Sequence, residues 1–583
     1  MRQGSDPYGP MTGGDVRAQR GLTPPAARDA LGGATLFARL PAALLDEVAA
    51  RARPVLLPAG AWLMRQGDPG DAAYTVCSGR LEVLAERPPP VRRVGDLRRG
   101  DTLGELALLT GAPRAASVRA LRDSELLAID RDAFTRLLAD RTFALGLLEA
   151  LGRLLQQPGA PVTASPRPRV VTLLSLGELD AWERVVTETE RAAARFGATA
   201  LVGEPPAPEG DAASGYGRAL DSLESAHDLV LLVCSHRAPA AWREFCARQA
   251  DRLVAVAPAG AAPPPRTAAP GDGCDVLLVR DARAPATVAT WLDALHPRAH
   301  HLVDARDGRL VDGVRRAVRR VLGRSLGVVL SGGGARAFAH LGVLERLGQA
   351  GVVVDRLGGT SMGAYISALL ATGMTIDDAI ATCRREWVDR HPLNDYTVPR
   401  RSLIRGERAR AMLARVFGER LAEEAPLDWF GVSADLLAAE PLVHRRGPLA
   451  EAVGASMRLP GLVPPLAREG RLLVDGGVLN NLPIDVMAAV GEGPVIGVDA
   501  MDRRLDRGRR AVQPPSITEV LARSAMLSSV RAAGAHRARA QLVIAPDVGP
   551  AGLLDFARLD GMVEAGRRAA DAHVDEALAL GEL

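Results

Sequence analysis

At 583 residues the chain is too long for one ordinary core, and two to four domains is the natural expectation. Hydrophobic residues at 47% and charged residues at 24% are the balance of a globular protein and exclude fibrous and disordered classes. All 72 basic side chains are arginine. A formal net charge of +3 over this length argues against a dedicated nucleic-acid binder, which would concentrate positive charge on one face.

Residues 1–30 lack an apolar signal core and read as a flexible leader. No apolar run approaches the length of a membrane span. Cys77, Cys234, Cys246, Cys274 and Cys383 are scattered and form no CxxC pair, so neither a disulfide framework nor a zinc site is expected and a reducing compartment fits better. The expected location is cytoplasmic, with contact at a membrane surface left open. The spacing of residues implies no metal and no required cofactor.

Residues 31–155 form a first unit. A short helix over 44–52 precedes short apolar runs separated by turn signals at Gly60, Gly67, Gly70, Gly79, Gly95 and Gly100, a pattern that predicts a β-roll. Residues 132–155 then read as helix. Inside the roll, LGELALLTGAPRAASV over 103–118 starts a short helix at Gly104-Glu105, whose free N–H groups suit an anion. Arg114 can add a bidentate contact to a phosphate, and Glu105 can accept a hydrogen bond from a sugar hydroxyl. This stretch, with RQGDPGDAAYTVCSGRLEVL before it, resembles the cyclic-nucleotide-binding domain family. The resemblance implies that Glu105 holds the ribose and Arg114 the cyclic phosphate. Ala115, just after the arginine, looks more like cAMP-type cassettes than cGMP-type ones. The alternative is a degenerate roll that binds nothing and serves as a docking surface.

Residues 156–169 are rich in proline and small residues and read as a linker. Over 170–300, buried strands alternate with helices, which predicts a small α/β domain with a mostly parallel sheet. SLGELDAW after its first strand lacks the glycines and lysine of a Walker loop. The region resembles the degenerate nucleotide-hydrolase-like segment of bacterial relatives of neuropathy target esterase, which implies a structural or relaying module. His300 and His301 read as a polar segment or domain contact rather than a metal site, since no third ligand lies at useful spacing. Residues 301–325 read as a connecting helix.

The last domain, 326–583, carries three separated signals. LGVVLSGGGARAFAHLGVLERLGQAG is a strand, a loop of Gly332, Gly333 and Gly334, and a helix over 335–349. Such a loop at a helix start could serve a dinucleotide, although GxGxxG is out of register, or could form an oxyanion hole. GGTSMG places Ser361 between Gly359 and Gly363, which reads either as a nucleophile elbow or as an ordinary turn. LLVDGGVLNNLPIDVM brings Asp475 to a strand end before two glycines, which can also be a common Asp-Gly turn.

Taken in this order the three stretches resemble the patatin-like phospholipase family. That resemblance implies a Ser–Asp dyad with Ser361 as nucleophile, Asp475 as base and the Gly332–Gly334 amides as oxyanion hole. Arg336 matches the family's arginine, either orienting and anion-facing or purely structural. Ser331 and Ala337 depart from residues common in the family without removing a reacting group. A triad would need a histidine, but His340 reads as packed, and His391, His444 and His536 sit in plain polar contexts. SMRLPGLVPPLARE over 456–469 is either an acyl-chain wall or simply a stiff loop. Residues 376–388, 405–417, 516–541 and 561–580 read as helices.

The whole predicts a multidomain enzyme acting on phospholipids or lysophospholipids, with cyclic nucleotide as a possible regulatory ligand. The order of domains resembles bacterial proteins related to neuropathy target esterase. The alternative is a nucleotide-sensing interaction protein with a vestigial hydrolase.

Overall fold

The computed structural model of the protein describes residues 24–34, 36–38, 40–86, 92–156, 168–204, 212–265, 273–280, 288–306, 308–501, 520, 524–549 and 551–582. Most of the expected leader and linker, residues 266–272 and the start of the helix expected from 516 lie outside them. The chain divides into two compact units, Met1–Ser175 with Ala194–Val254, and Leu176–Ala193 with Ala255–Leu583. The segment expected as a middle domain is thus shared between them.

In the first unit, eight short strands build the roll: β1 (Arg53–Leu57), β2 (Trp62–Met64), β3 (Ala72–Ser78), β4 (Arg80–Ala85), β5 (Arg92–Arg98), β6 (Thr102–Leu103), β7 (Ser117–Ala120) and β8 (Ser124–Asp130). They form two four-stranded antiparallel sheets, ordered β1-β8-β3-β6 and β2-β7-β4-β5. Strand β3 is buried on both faces because its alternating side chains serve two cores. Val76 joins Leu81, Leu103, Val118 and Leu126 inside the roll. Ala73 and Cys77 face a helical cluster around Phe37, Phe134 and Phe143. Gly79 turns the chain between β3 and β4 at φ 92°, and a Cβ there would come within 2.3 Å of Ser124 Oγ. The helix expected over 132–155 is two helices, Arg131–Leu138 and Arg141–Gln156. The first ends with Ala139 as its C-cap, and Asp140 caps the second, its Oδ1 accepting from the N–H groups of Thr142 and Phe143.

Three parallel strands follow in this unit, β9 (Val170–Ser175), β10 (Thr199–Val202) and β11 (Leu229–Cys234), ordered β10-β11-β9. Strand β12 (Arg252–Pro258) crosses the division between units. In the second unit β13 (Asp275–Arg280) runs parallel to β14 (Ala299–Asp304). Strand β14 contains both His300 and His301, so it spans the boundary expected at 300. His300 Nε2 donates to the Glu423 carbonyl at 2.7 Å. The helix Arg309–Val321 then leads into the last sheet.

That sheet contains β15 (Gly327–Leu330), β16 (Arg356–Thr360), β17 (Asp428–Asp435), β18 (Glu440–His444), β19 (Leu466–Arg468), β20 (Arg471–Asp475), β21 (Val495–Val498) and β22 (Leu542–Ile544). Its order is β19-β20-β17-β16-β15-β21-β22, with β18 also paired to β17. Strands β15, β16 and β21 are buried throughout, as expected of parallel strands covered on both faces. The helices Ala339–Gln349 and Leu559–Asp571 cross where glycine faces backbone. A Cβ at Gly342 would lie 1.9 Å from the Val563 carbonyl oxygen, and one at Gly566 2.0 Å from that of Ala339.

Candidate active site

The register of β17 brings the site together. Its residues 428–432 pair in parallel with β16, ending at Val432 opposite Thr360, while Gly431 to Asp435 pair with β18. Because β18 holds one edge, β16 must lie on the other. Where β16 turns away at Ser361, β20 takes over that same edge, antiparallel, with Asp475 opposite Ser433. Ser361 and Asp475, 114 positions apart in the sequence, therefore meet one residue beyond the Val432–Thr360 pair. Ser361 sits at the carboxyl end of a parallel strand, where open α/β sheets place ligands.

Ser361 has φ 56° and ψ −126° and precedes the helix Met362–Ala371. For a side chain other than glycine this backbone is strained, which is the geometry of a nucleophile elbow. Its flanking glycines are required by contact. A Cβ at Gly359 would lie 2.6 Å from the Leu330 carbonyl oxygen, and one at Gly363 2.3 Å from the same atom. Ser456 fixes the turn from outside: the Ser361 N–H donates to Ser456 Oγ at 2.8 Å, and Ser456 Oγ donates to the Val432 carbonyl at 2.6 Å. The sequence marked Ser456 only as the start of the stretch 456–469 and gave no sign of this bond, because it lies 95 residues from the elbow and acts only through the fold.

Asp475 is buried, with 1% of its surface exposed. Its Oδ1 accepts from the Gly477 N–H at 2.8 Å. Its Oδ2 is enclosed, and among the described residues it has no hydrogen-bond donor of ordinary geometry. Burial pushes the carboxyl up to about 6, while the neighbouring Ser361 hydroxyl and the Gly477 amide pull it back. Contacts of this kind are often loose before substrate arrives.

The glycine loop departs from expectation at one position. The Gly332 N–H donates to the Asn481 carbonyl at 3.1 Å, so it is already taken and is not available as an oxyanion donor. Gly333 and Gly334 line the same cavity as Ser361, as does Met362, the residue after it. Among the described residues no carbonyl accepts from their amides. The Met362 amide went unread in the sequence, although the elbow pattern itself signals it, since the residue after such a nucleophile supplies a donor. Asn481 clamps the loop from both sides: its Nδ2 also donates to the Gly332 carbonyl at 3.3 Å. Arg336 is buried, its Nε donates to the Ala551 carbonyl at 2.7 Å, and it is absent from the cavity wall.

Among the described residues no histidine lines this cavity. His340 is enclosed, its Nε2 donates to the Ser331 carbonyl at 2.9 Å, and burial lowers its pKa to about 4. His444 bonds Ser433 Oγ at 2.7 Å and is likewise lowered to about 4, chiefly by burial. His536 Nδ1 donates to Asn480 Oδ1 at 3.1 Å.

The cavity measures about 860 Å³. Trp387, Leu393, Met412, Leu413, Met526 and Phe556 make much of its wall apolar. Met457, Leu459, Leu462, Val463 and Leu466 complete it, so the stretch 456–469 is wall as well as stiff loop.

In the roll, Gly104 at φ 82° starts the helix Glu105–Thr110. Arg114 is buried, and its Nη1 donates to the Gly104 carbonyl at 3.1 Å and its Nη2 to that of Ala72 at 2.8 Å. Its Nη2 also lies 3.3 Å from Asp71 Oδ1. Glu105 Oε2 is enclosed and unpartnered, and burial raises this carboxyl. Ala115 is exposed beside them.

These two constellations match two family models. The patatin-like phospholipase model covers residues 328–488, and the cyclic nucleotide-binding domain model covers residues 54–141. The chain is a lipid ester hydrolase of the patatin type carrying a cyclic nucleotide-binding domain. A protein of Mycobacterium tuberculosis, described as an uncharacterized NTE family protein, is 36% identical, the match covering 94% of this chain and 96% of that one. Human patatin-like phospholipase domain-containing protein 6 is 30% identical over 81% of this chain and 41% of its own length. Lysophospholipase NTE1 of Coccidioides immitis is 27% identical, covering 88% and 40%. The chain belongs to the NTE family.

Proposed function

We propose that the protein hydrolyses the acyl ester of a phospholipid or lysophospholipid through Ser361 and Asp475. The observation that carries this reading is a strained serine facing a buried carboxylate in one apolar cavity that no histidine among the described residues lines. Asp475 takes the Ser361 proton as Oγ attacks the ester carbonyl carbon. The amides of Gly333, Gly334 and Met362 receive the resulting oxyanion, and losing one such donor typically costs about 3–4 kcal/mol of transition-state stabilisation. Collapse expels the alcohol, which leaves with the proton held on Asp475. A water, deprotonated by Asp475, then attacks the acyl carbon; the bond to Ser361 Oγ breaks, Oγ takes that proton back from Asp475, and the fatty acid is released. The apolar wall supports a long acyl chain as occupant, and the name of the fungal relative, a lysophospholipase, agrees with a single-chain substrate.

In the roll, Glu105 and Arg114 would hold the ribose and cyclic phosphate of a cyclic nucleotide, cAMP in preference to cGMP, as a regulatory ligand. Among the described residues no helix is long and apolar enough to cross a membrane, and the reading places the enzyme in the cytoplasm, reaching lipid at a membrane surface.

Turnover of a water-soluble short-chain ester tests the dyad. Ser361→Ala and Asp475→Asn are each expected to abolish it, and near-normal turnover in either variant would rule the dyad out.

A further inference from the structure

Between Asp389 and the helix Glu407–Phe417 the chain forms a small hairpin. An antiparallel bridge joins Tyr396 to Ile404, and the Thr397 N–H donates to the Leu403 carbonyl at 3.0 Å. The base of the hairpin belongs to the wall of the catalytic cavity. Ile404 is buried with Leu462 and Val463, and Leu393, Leu403 and Leu459 pack against them. The N–H groups of Leu403 and Ile404 donate to the carbonyls of Gly461 and Leu462 at 2.9 and 3.0 Å. Leu393, Leu459, Leu462 and Val463 all line the cavity.

The far end of the hairpin is built differently. Tyr396 is 72% and Val398 73% exposed, the two most exposed large apolar residues among those described. Pro399, Arg400, Arg401 and Arg405 are exposed beside them. Among the described residues the three arginines form neither an ion pair nor a side-chain hydrogen bond. Two carboxylates stand nearby. Asp395 accepts from the N–H groups of Glu407 and Arg408, which commits it to the helix start, and Glu407 is exposed. Arg408 and Arg410 add to the same segment, and Arg410 lines the cavity. Along the segment from Asp395 to Arg410, five arginines stand against two carboxylates, and Tyr396 and Val398 are exposed within it.

Packing does not account for this tip, because none of the described residues covers it. A tyrosine and an aliphatic residue ringed by arginines suit the head-group region of a bilayer, where the apolar groups enter the interface and guanidinium groups meet lipid phosphates. A free soluble anion would leave Tyr396 and Val398 in water. We infer that the hairpin Tyr396–Ile404 docks the enzyme on an anionic phospholipid surface. Its base, shared with the cavity wall, then lies beside the path by which an acyl chain leaves the bilayer. This inference rests on the reading of the cavity as a lipid-ester site and names the surface through which that site meets its substrate.

Sedimentation of the full chain with vesicles tests it, using phosphatidylcholine alone and an equimolar mixture with phosphatidylglycerol. The parent is expected on the anionic vesicles and to be released by high salt. Tyr396→Ser with Val398→Ser, and separately Arg400→Glu with Arg401→Glu, should each lower the partition coefficient by about tenfold or more. Turnover of the water-soluble ester should be unchanged in both, which also certifies their folding. A parent that ignores anionic vesicles, or variants that bind them as the parent does, would overturn the inference. Binding lost only with the arginines would replace the bilayer with an acidic protein surface and overturn it equally. A parent that binds vesicles yet fails on the soluble ester would sink the dyad and leave the docking surface standing.

Discussion

Asp475 is the residue on which chemistry and stability pull in opposite directions. Its carboxyl is raised from 3.8 to about 6, first by burial. As a base it must be ionised, so kcat/KM should fall on the acid side with a midpoint near that value, and a flat profile down to pH 4.5 would exclude this role. The stability sign is the reverse. A carboxyl raised on folding gives stability that is fully present below its unfolded pKa and lost as pH rises through its folded pKa. At pH 8 the native protein therefore carries a buried charge, and Asp475→Asn should be more stable than the parent by on the order of 3 kcal/mol. Thermal unfolding at pH 8 and pH 4 checks this, since the advantage should vanish at the lower pH. Ser456 tests the backbone half of the site. Ser456→Ala leaves the Ser361 N–H buried without an acceptor, and should cut kcat/KM about tenfold to a hundredfold. An unchanged rate would mean that the elbow holds its strain unaided. Ser361 and Asp475 were legible because each sits in a short glycine-rich motif. The bonds that Ser456 and Asn481 make were not, because their partners are 95 and 149 positions away and neither stretch names the atom it will reach.

At the scale of elements, helix and strand placement followed periodicity closely where the segment was long and apolar. The strand and helix around the elbow, Arg356–Thr360 and Met362–Ala371, are of this kind. Boundaries failed where a side chain decided them, as at Asp140, which splits one expected helix into two. Residues 335–349 likewise divide, the first turn being a tighter helix over Gly334–Phe338 before Ala339–Gln349. The glycines of that second helix make a paired test. Gly342→Ala would place a Cβ 1.9 Å from a backbone oxygen that no side-chain motion can relieve, and should cost about 4 kcal/mol or more or prevent folding. Gly348, in the same helix, has open space around it, and Gly348→Ala should stabilise by about 0.5–1 kcal/mol. Equal melting temperatures for the two variants would contradict the close helix crossing.

Across the whole molecule, one chain carries a hydrolase and a nucleotide-binding domain, which motivates regulation of one by the other. Hydrolysis measured with and without cAMP and cGMP should change in rate or affinity with cAMP in the parent and not in Arg114→Ala, which would remove the proposed phosphate contact. No change in the parent would end that proposal. Composition and motif order already determined the class of protein, because a glycine loop, an elbow and an Asp-Gly-Gly turn are local backbone requirements written into adjacent residues. The tertiary structure decided the rest. Which amides remain free depends on Asn481 reaching Gly332, and whether Ser361 meets Asp475 depends on one long strand exchanging neighbours along an edge. The Asp475 carboxyl is raised through burial, a property of what surrounds it and not of its own position in the sequence.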